Sequence, residues 1–507
     1  MSNDRQQFKS AMIQKSRDLA AFPILVIATI LLLAGHFVLQ QYGPNTIVRA
    51  GSFIFLMAVS SYVVLIRRDI FAFVMTIYVA SHFSYGDNHG GLWNLLAVVV
   101  VSIFFPFIYN NVSVRGGSIL IRGLLGIFIL SNVAGWVIVN PLPLESLVKG
   151  IAAFFGYMLI FYLSSNISIT KERVKIYISI VTVLIIYQFI ISIFQYYQLA
   201  DWSSPIVGGN TLGTMVVTEV NRPVGTIQHF ELFAEYAVLM SCLLVPMLSS
   251  STTKKELRLS YLQIIAVLIV CCGIVIITSV RAAAILMVLT IVLYYLLLVS
   301  RFIKSLDKIS QQLKLAMIFM VVFPVASIYV GYKELKDDFN NVDIENITIQ
   351  NVISGKAINR GPLIVAALNR IESESWILGF GSGTIQSNQW AWFGYDPERR
   401  RPPAAGYHNL YLSIIMVYGW IGAFAFLGIV LTIVFKLLVI CIKNRRNKSY
   451  LVILALGMGI MWCIFLIDEY KISILRNSNY QMIIWILLGL SYSLTKSFNK
   501  QSSYFEK

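Results

Sequence analysis

The chain has 507 residues, of which 57% are hydrophobic and only 13% charged, with a formal net charge of +16. Apolar runs of this length span the roughly 30 Å of a bilayer core, which excludes a soluble globular enzyme and a disordered chain. They are too long and too continuously apolar for barrel strands, so the expected fold class is all-α: a polytopic membrane helical bundle of about 14 transmembrane helices with one long extracytoplasmic loop.

Residues 1–18 are mostly polar and read as a cytoplasmic N-terminal segment. The apolar run that follows is too long for a signal-peptide core and reads as an uncleaved anchor. Residues 19–332 hold the expected helices 1–11, centred near Ile30, Met57, Met75, Val99, Ile127, Phe155, Ile185, Met240, Val270, Leu289 and Val322. Residues 333–407 form the long loop. Residues 408–496 hold helices 12–14, centred near Phe424, Gly459 and Ile484, and residues 497–507 form a cytoplasmic tail. The span after His408 is long enough to tilt.

Charge tests this arrangement. With the N-terminus inside and the connections alternating, the inner segments hold 26 of the 40 basic residues, among them Arg67, Arg68, Lys171, Arg173, Lys175, Arg445 and Arg446. The short outer connections hold only Arg49, Lys149, Arg222, Arg281, Lys471 and Arg476. That bias is the positive-inside pattern for an even number of spans with both termini cytoplasmic. The net charge is therefore mostly topology, and no nucleic-acid partner is needed to explain it. The five cysteines, Cys242, Cys271, Cys272, Cys441 and Cys463, fall in spans or on the cytoplasmic side, so outer disulfides are not expected, and no Cys/His spacing suggests a metal site.

Polar chemistry gathers on the outer face. His36, His82, His89, His229 and His408 all map there. The first four read as interfacial histidines that hydrogen-bond a neighbour. His408 stands where the long loop re-enters an apolar run, in Gly406-Tyr407-His408-Asn409-Leu410-Tyr411, a place where an imidazole exchanges a proton beside whatever the loop binds.

Arginines accompany it. Arg222 lies in the connection before helix 8. Arg281 lies in Thr278-Ser279-Val280-Arg281-Ala282, where two spans are joined by almost no loop. A guanidinium near hydrocarbon costs about 2.5 to 3.5 kcal/mol unless it snorkels or pairs; the alternative reading is a headgroup anchor. Arg360 precedes Gly361-Pro362 and an apolar periodicity over Leu363, Ile364, Ala367, Leu368 and Ile371, which predicts an amphipathic helix ending at Gly379-Phe380-Gly381-Ser382-Gly383. Arg360 at that helix start suits an oxyanion or phosphate; a solvated surface arginine is the alternative. Glu231 and Glu235, four apart, share a helix face just below the outer interface, either as an ion pair with an outer arginine or as a substrate contact.

The order of these features is specific even though no single one is. An arginine in an outer loop, a Thr-Ser-x-Arg-Ala turn between spans, an arginine before an apolar helix and Leu378-Gly379-Phe380-Gly381-Ser382-Gly383, then His408-Asn409-Leu410-Tyr411-Leu412 and Gly419-Trp420-Ile421-Gly422, resembles the O-antigen ligase and O-antigen polymerase superfamily. The resemblance runs from about Arg222 to Leu431. Val280 departs from it, since the family often has serine directly before the arginine.

What the resemblance implies is a glycosyltransferase that takes glycan from an undecaprenyl diphosphate carrier on the outer face of the bacterial inner membrane. Catalytic roles would fall to His408, as base at the acceptor hydroxyl, and to Arg281; Arg222, Arg360, Asn409, Tyr411 and Glu235 would bind substrate. Guanidinium forks suit a leaving group whose negative charge grows in the transition state, and an imidazole of pKa about 6.5 suits a hydroxyl nucleophile. No metal and no cofactor are expected. A polymerase of repeat units, with flippase and chain-length-regulating proteins as neighbours, is the leading expectation. An O-antigen ligase passing finished polymer to a lipid A-core or other glycan acceptor is the alternative, and a transporter of lipid-linked sugars ranks below both, since internal repeats and mid-span charges are not evident.

Overall fold

A computed structural model describes residues 70–82, 118–139, 144–197, 223–227, 229–248, 255–257, 261–299, 377–379, 381–382, 410–444, 449–469, 475 and 477–505. All long regular elements among them are helices: α1 (Ile70–Ala80), α2 (Ile119–Ala134), α3 (Leu144–Ser165), α4 (Lys171–Tyr196), α5 (Phe230–Leu248), α6 (Tyr261–Thr278), α7 (Arg281–Val299), α8 (Leu410–Lys443), α9 (Tyr450–Asp468) and α10 (Ser478–Phe505). Each contains one expected span centre, from Met75 in α1 to Ile484 in α10. The centres at Ile30, Met57, Val99 and Val322 lie outside the described residues, as does the amphipathic helix expected after Arg360. Among the described residues, five helices are long and apolar enough to cross a membrane: Ile119–Ile138, Lys171–Tyr196, Phe230–Met247, Val417–Lys443 and Tyr450–Asp468.

Helix ends follow local chemistry. Thr170 caps α4 by accepting the Arg173 N–H at 3.3 Å, and Ser449 caps α9 by accepting the Leu451 N–H at 3.3 Å. Each cap satisfies one amide that the first turn leaves without a helical partner.

The bundle is built around α5, whose residues 231–247 are all buried. It packs on α9, α6 and α7, while α2 lies along α8 and α3 along α10. In lipid, hydrophobic burial does not by itself draw helices together, so close packing and interhelical hydrogen bonds do. The described core supplies several: Tyr78 Oη to Tyr236 Oη at 3.1 Å, Trp462 Nε1 to Ser491 Oγ at 2.8 Å, and Cys242 Sγ to Thr290 Oγ1 at 3.2 Å. Such bonds contribute on the order of 0.6 kcal/mol each, with a maximum near 1.7. All five cysteines are free thiols, four of them buried.

Contacts between helix termini sort the bundle into two ends. At one, the start of α8 meets the end of α9 (Leu410 N–H to Glu469 O, 2.9 Å), and Asn477, before α10, reaches Ile227, before α5 (Nδ2 to O, 2.7 Å). At the other, the Ser118 N–H before α2 bonds Tyr492 Oη late in α10 (2.6 Å), Lys496 Nζ reaches Asn166 Oδ1 after α3 (3.1 Å), and the Tyr450 N–H reaches Glu256 (3.2 Å). Neighbouring spans therefore alternate in direction, as the charge pattern requires. The first end is the one that carries the expected outer-face residues among those described.

Candidate active site at one end of the bundle

Arg281 opens α7 after a two-residue connection from Thr278, where α6 closes. The reversal is tight because Ser279 adopts the left-handed conformation, φ 52°, which ordinary residues rarely occupy. The Ser279 N–H bonds Ile276 O at 3.0 Å and its hydroxyl turns back to the same carbonyl at 3.4 Å, so the serine is used within its own turn. Arg281 itself is exposed at the helix N-terminus. A guanidinium there opposes the helix dipole by about 0.3 to 1 kcal/mol, so helix stability does not account for it, whereas an anion would be drawn by both charges.

Register fixes the height of Arg281 on α5. Thr290, bonded to Cys242, lies nine residues beyond Arg281, and Cys242 lies nine residues beyond Phe233. The two helices run in the same direction, and nine residues descend about 13.5 Å in each. Arg281 thus stands level with Phe233, between Glu231 and Glu235.

Those carboxylates belong to a larger acidic group. Glu231 is 7% exposed, Glu235 1%, Asp468 7% and Glu469 0%. Tyr480, fully buried in the first turn of α10, is within electrostatic reach of Glu235, Glu469 and Asp468. Two helices thus bring carboxylates to one tyrosine of a third, although Glu235 and Glu469 are 234 positions apart in the chain. A buried carboxylate is costly unless it is paired or hydrogen-bonded, so this group is polar chemistry held inside an otherwise apolar bundle.

The start of α8 closes the other side. Its first amide, Leu410 N–H, is held by Glu469 O, and the Tyr411 hydroxyl donates to Leu466 O. Burial, and then the Glu469 carboxylate, holds the Tyr411 phenol above its ordinary range. These two residues follow directly on His408 and Asn409, so the helix that begins there is pinned to the acidic group.

Farther along, α8 is broken. Gly419 takes φ 69°, ψ 177°, so residues 410–418 and 420–443 are separate helical pieces rather than the single tilted span the length suggests. The break frees backbone groups that hydrocarbon would not tolerate, and three of them have partners outside α8. Val417 O accepts the Gly381 N–H at 2.7 Å, Tyr418 O accepts the Ser131 hydroxyl at 2.5 Å, and the Ile421 N–H donates to Ile377 O at 3.3 Å. Residues 377–379 and 381–382 of the Gly-rich segment plug the break. Ser382 ties the plug to α2 and α3, through Asn132 Oδ1 (2.8 Å), the indole N–H of Trp136 (2.7 Å) and Gly150 O (3.1 Å). Trp136 lies in a π-helical stretch, Gly135–Val139, that continues α2.

Of the expected site residues, Arg281, Glu235 and Tyr411 are described, and all three lie at this one end. Glu235 and Tyr411 meet the same Glu469–Tyr480 group, and Arg281 stands at the level of Glu235. His408, Asn409, Arg222 and Arg360 lie outside the described residues; His408 and Asn409 immediately precede the pinned Leu410, and Arg222 immediately precedes Pro223. His82 and His229 behave as neighbour-bonded or packed histidines: the His82 Nδ1 is 2.7 Å from Tyr78 O, and the His229 ring stacks on Phe230. Sequence reading passed over Asp468, Glu469 and Tyr480. Acidic residues in an outer helix end were a usable signal, but nothing local ties 468–469 to 235.

No curated protein matches the chain. Residues 265–427 match the family model described as O-antigen ligase, a stretch that takes in most of α6, all of α7, the plug and α8 past its break. We conclude that this helical membrane protein is similar, across residues 265–427, to the O-antigen ligase and polymerase superfamily.

Proposed function

We propose that the protein is a polymerase of a cell-surface polysaccharide of the O-antigen, capsule or exopolysaccharide type. It transfers glycan from an undecaprenyl diphosphate carrier to a sugar hydroxyl on the outer face of the bacterial inner membrane, with both termini cytoplasmic. The observation that carries this reading is the gathering of Arg281, the buried carboxylates and the start of α8 at one end of the bundle, within and beside the family-matched segment.

In this mechanism His408 accepts the proton of the acceptor hydroxyl as that oxygen bonds the anomeric carbon of the donor. The bond from that carbon to the carrier diphosphate breaks, and the released diphosphate keeps the electron pair. Arg281 and Arg222 hold its growing charge, with Arg360 assisting, an interaction stronger in the transition state than in the ground state. Arginine suits this role because its planar fork meets phosphate oxygens in pairs. The reaction so written needs no metal, since the guanidinium groups neutralise the leaving group. Asn409 and Glu235 contact the sugar, and Tyr411 orients the start of α8. Flippase and chain-length-regulating proteins are the proposed neighbours.

The family model's own description favours a second reading, an O-antigen ligase that passes finished polymer to a lipid A-core or other glycan acceptor. The discriminating experiment is a deletion strain examined for carrier-linked glycan. Single repeat units left on surface acceptors support the polymerase, whereas finished polymer accumulating on the carrier supports the ligase. Unchanged surface polysaccharide would sink both.

A further inference from the structure

The segment just after Arg222 is held by an arrangement that the proposed reaction does not by itself require. Gln188 and Gln195 lie seven residues apart on α4, two turns and hence one face. Both are buried, at 0% and 8% exposure. A buried primary amide in an apolar helix costs several kcal/mol if left without partners, and here both amides are spent on the same five-residue segment.

Gln195 Oε1 accepts the Val224 N–H at 3.0 Å and the Gly225 N–H at 2.9 Å, while its Nε2 donates to Gly225 O at 3.0 Å. Gln188 Oε1 accepts the Thr226 N–H at 2.8 Å, and its Nε2 donates to the Thr226 hydroxyl. That hydroxyl donates in turn to His82 O, and Asn477 closes the far side at Ile227 O. Gly225 takes φ 57°, and a Cβ there would stand 2.5 Å from Gln188 Oε1, so only glycine fits against the amide. Two side chains thus read the backbone of 224–226 much as a neighbouring strand would. At the end of a bundle, water alone satisfies a connecting loop; two buried amides and a left-handed glycine instead fix its position.

We propose that Gln188 and Gln195 are positioning residues that clamp this segment and so hold Arg222, two positions before Val224, at the donor diphosphate. The proposal rests on the reading above that Arg222 binds that diphosphate. Fixing the anchor of a long side chain lowers the ordering cost of binding, so the clamp acts on affinity for the diphosphate and not on the lipid chain.

The test uses the full-length protein in detergent, with undecaprenyl diphosphate carrying no sugar as the probe and undecaprenyl monophosphate as the control for the lipid chain. Affinity and thermal midpoint are measured for Gln188→Leu, Gln195→Leu, Arg222→Ala and the Gln195→Leu/Arg222→Ala double variant. Thr226→Val provides a milder loosening should the leucine variants fail to accumulate. Each loosened clamp is expected to weaken diphosphate binding about tenfold, equivalent to about 1.4 kcal/mol, with monophosphate binding unchanged. The double variant is expected to bind no more weakly than Arg222→Ala, because residues acting through one another are not additive. Additive losses, equal losses for both lipids, or undiminished affinity in the clamp variants beside a weakened Arg222→Ala would overturn the clamp and leave the arginine's role standing. Wild-type affinity in Arg222→Ala would instead remove the arginine's role, and the proposal with it.

Discussion

Gly379 crosses Gly419 in direct backbone contact: a side chain on either residue would run into the main chain of the other's segment. Both glycines are left-handed, at φ 67° and 69°. Their junction divides α8 into a short piece that follows His408 and Asn409 and a longer piece that crosses the membrane. The direction of the short piece that begins at Leu410 is therefore set by a contact nine residues on in sequence, not by the membrane-crossing helix itself.

Gly419→Ala and Gly379→Ala are accordingly expected to abolish product formation. The left-handed conformation alone costs about 1 to 2 kcal/mol for an L residue, and the backbone clash adds to it. The internal control is Gly126→Ala, where an added Cβ meets nothing within 4 Å; there a gain of about 0.5 to 1 kcal/mol is expected. Thermal midpoints in detergent and polymer on gels check both. Normal polymer from Gly419→Ala would show that the break has no part in orienting the site.

Arg281→Ala is expected to lower turnover at least a hundredfold, in keeping with the loss of one transition-state donor, about 2.7 to 4 kcal/mol. Arg281→Lys is expected to recover only part of it, because an ammonium keeps the charge but not the paired geometry. Turnover per inserted protein, with carrier-linked glycan as donor, is the measurement. Equal activity of Arg281→Ala and wild type would return Arg281 to a headgroup anchor.

The turn before it supplies a separate test. Ser279 is left-handed without being glycine, a conformation that costs of order 1 kcal/mol or more. Ser279→Gly is expected to raise the thermal midpoint slightly and keep activity, since among the described residues the hydroxyl bonds within its own turn. Ser279→Val, β-branched and poorly suited to positive φ, is expected to lower the midpoint and activity together. Lost activity in a stable Ser279→Gly protein would show instead that the hydroxyl contacts substrate.

How far the sequence disclosed all this depended on range. The identities of the described helices were legible because each carries its own apolar run, and the Arg281 turn was legible because Thr278 and Arg281 lie close in sequence. The break at Gly419 was not, since Gly-Trp-Ile-Gly in an apolar run is compatible with unbroken helix until Ile377 and Gly381 supply its hydrogen bonds. Gln188 and Gln195 carry no local signal, because their partners lie about 30 to 38 positions on. Asn132 and Ser382, 250 positions apart, form a contact that no local periodicity encodes.

Tyr411 joins the last of these long-range contacts to the proposed chemistry. Its hydroxyl donates to Leu466 O, one turn from Glu469, whose own carbonyl holds Leu410. Tyr411→Phe keeps the ring and removes only that donor, so the expected result is a lower kcat with little change in donor KM, as the start of α8 loosens. The phenol is held above the ordinary tyrosine value by burial and then by Glu469, so the folded protein keeps it neutral where an unfolded chain ionises. Its contribution to stability is therefore complete below about pH 10, the ordinary value, and is lost as pH rises beyond it. Tyr411→Phe should flatten that alkaline loss in a thermal-midpoint profile while leaving the profile near neutrality parallel to wild type. A steeper alkaline loss in the variant, or a donor KM that rises while kcat holds, would place Tyr411 on the substrate rather than on the helix it begins.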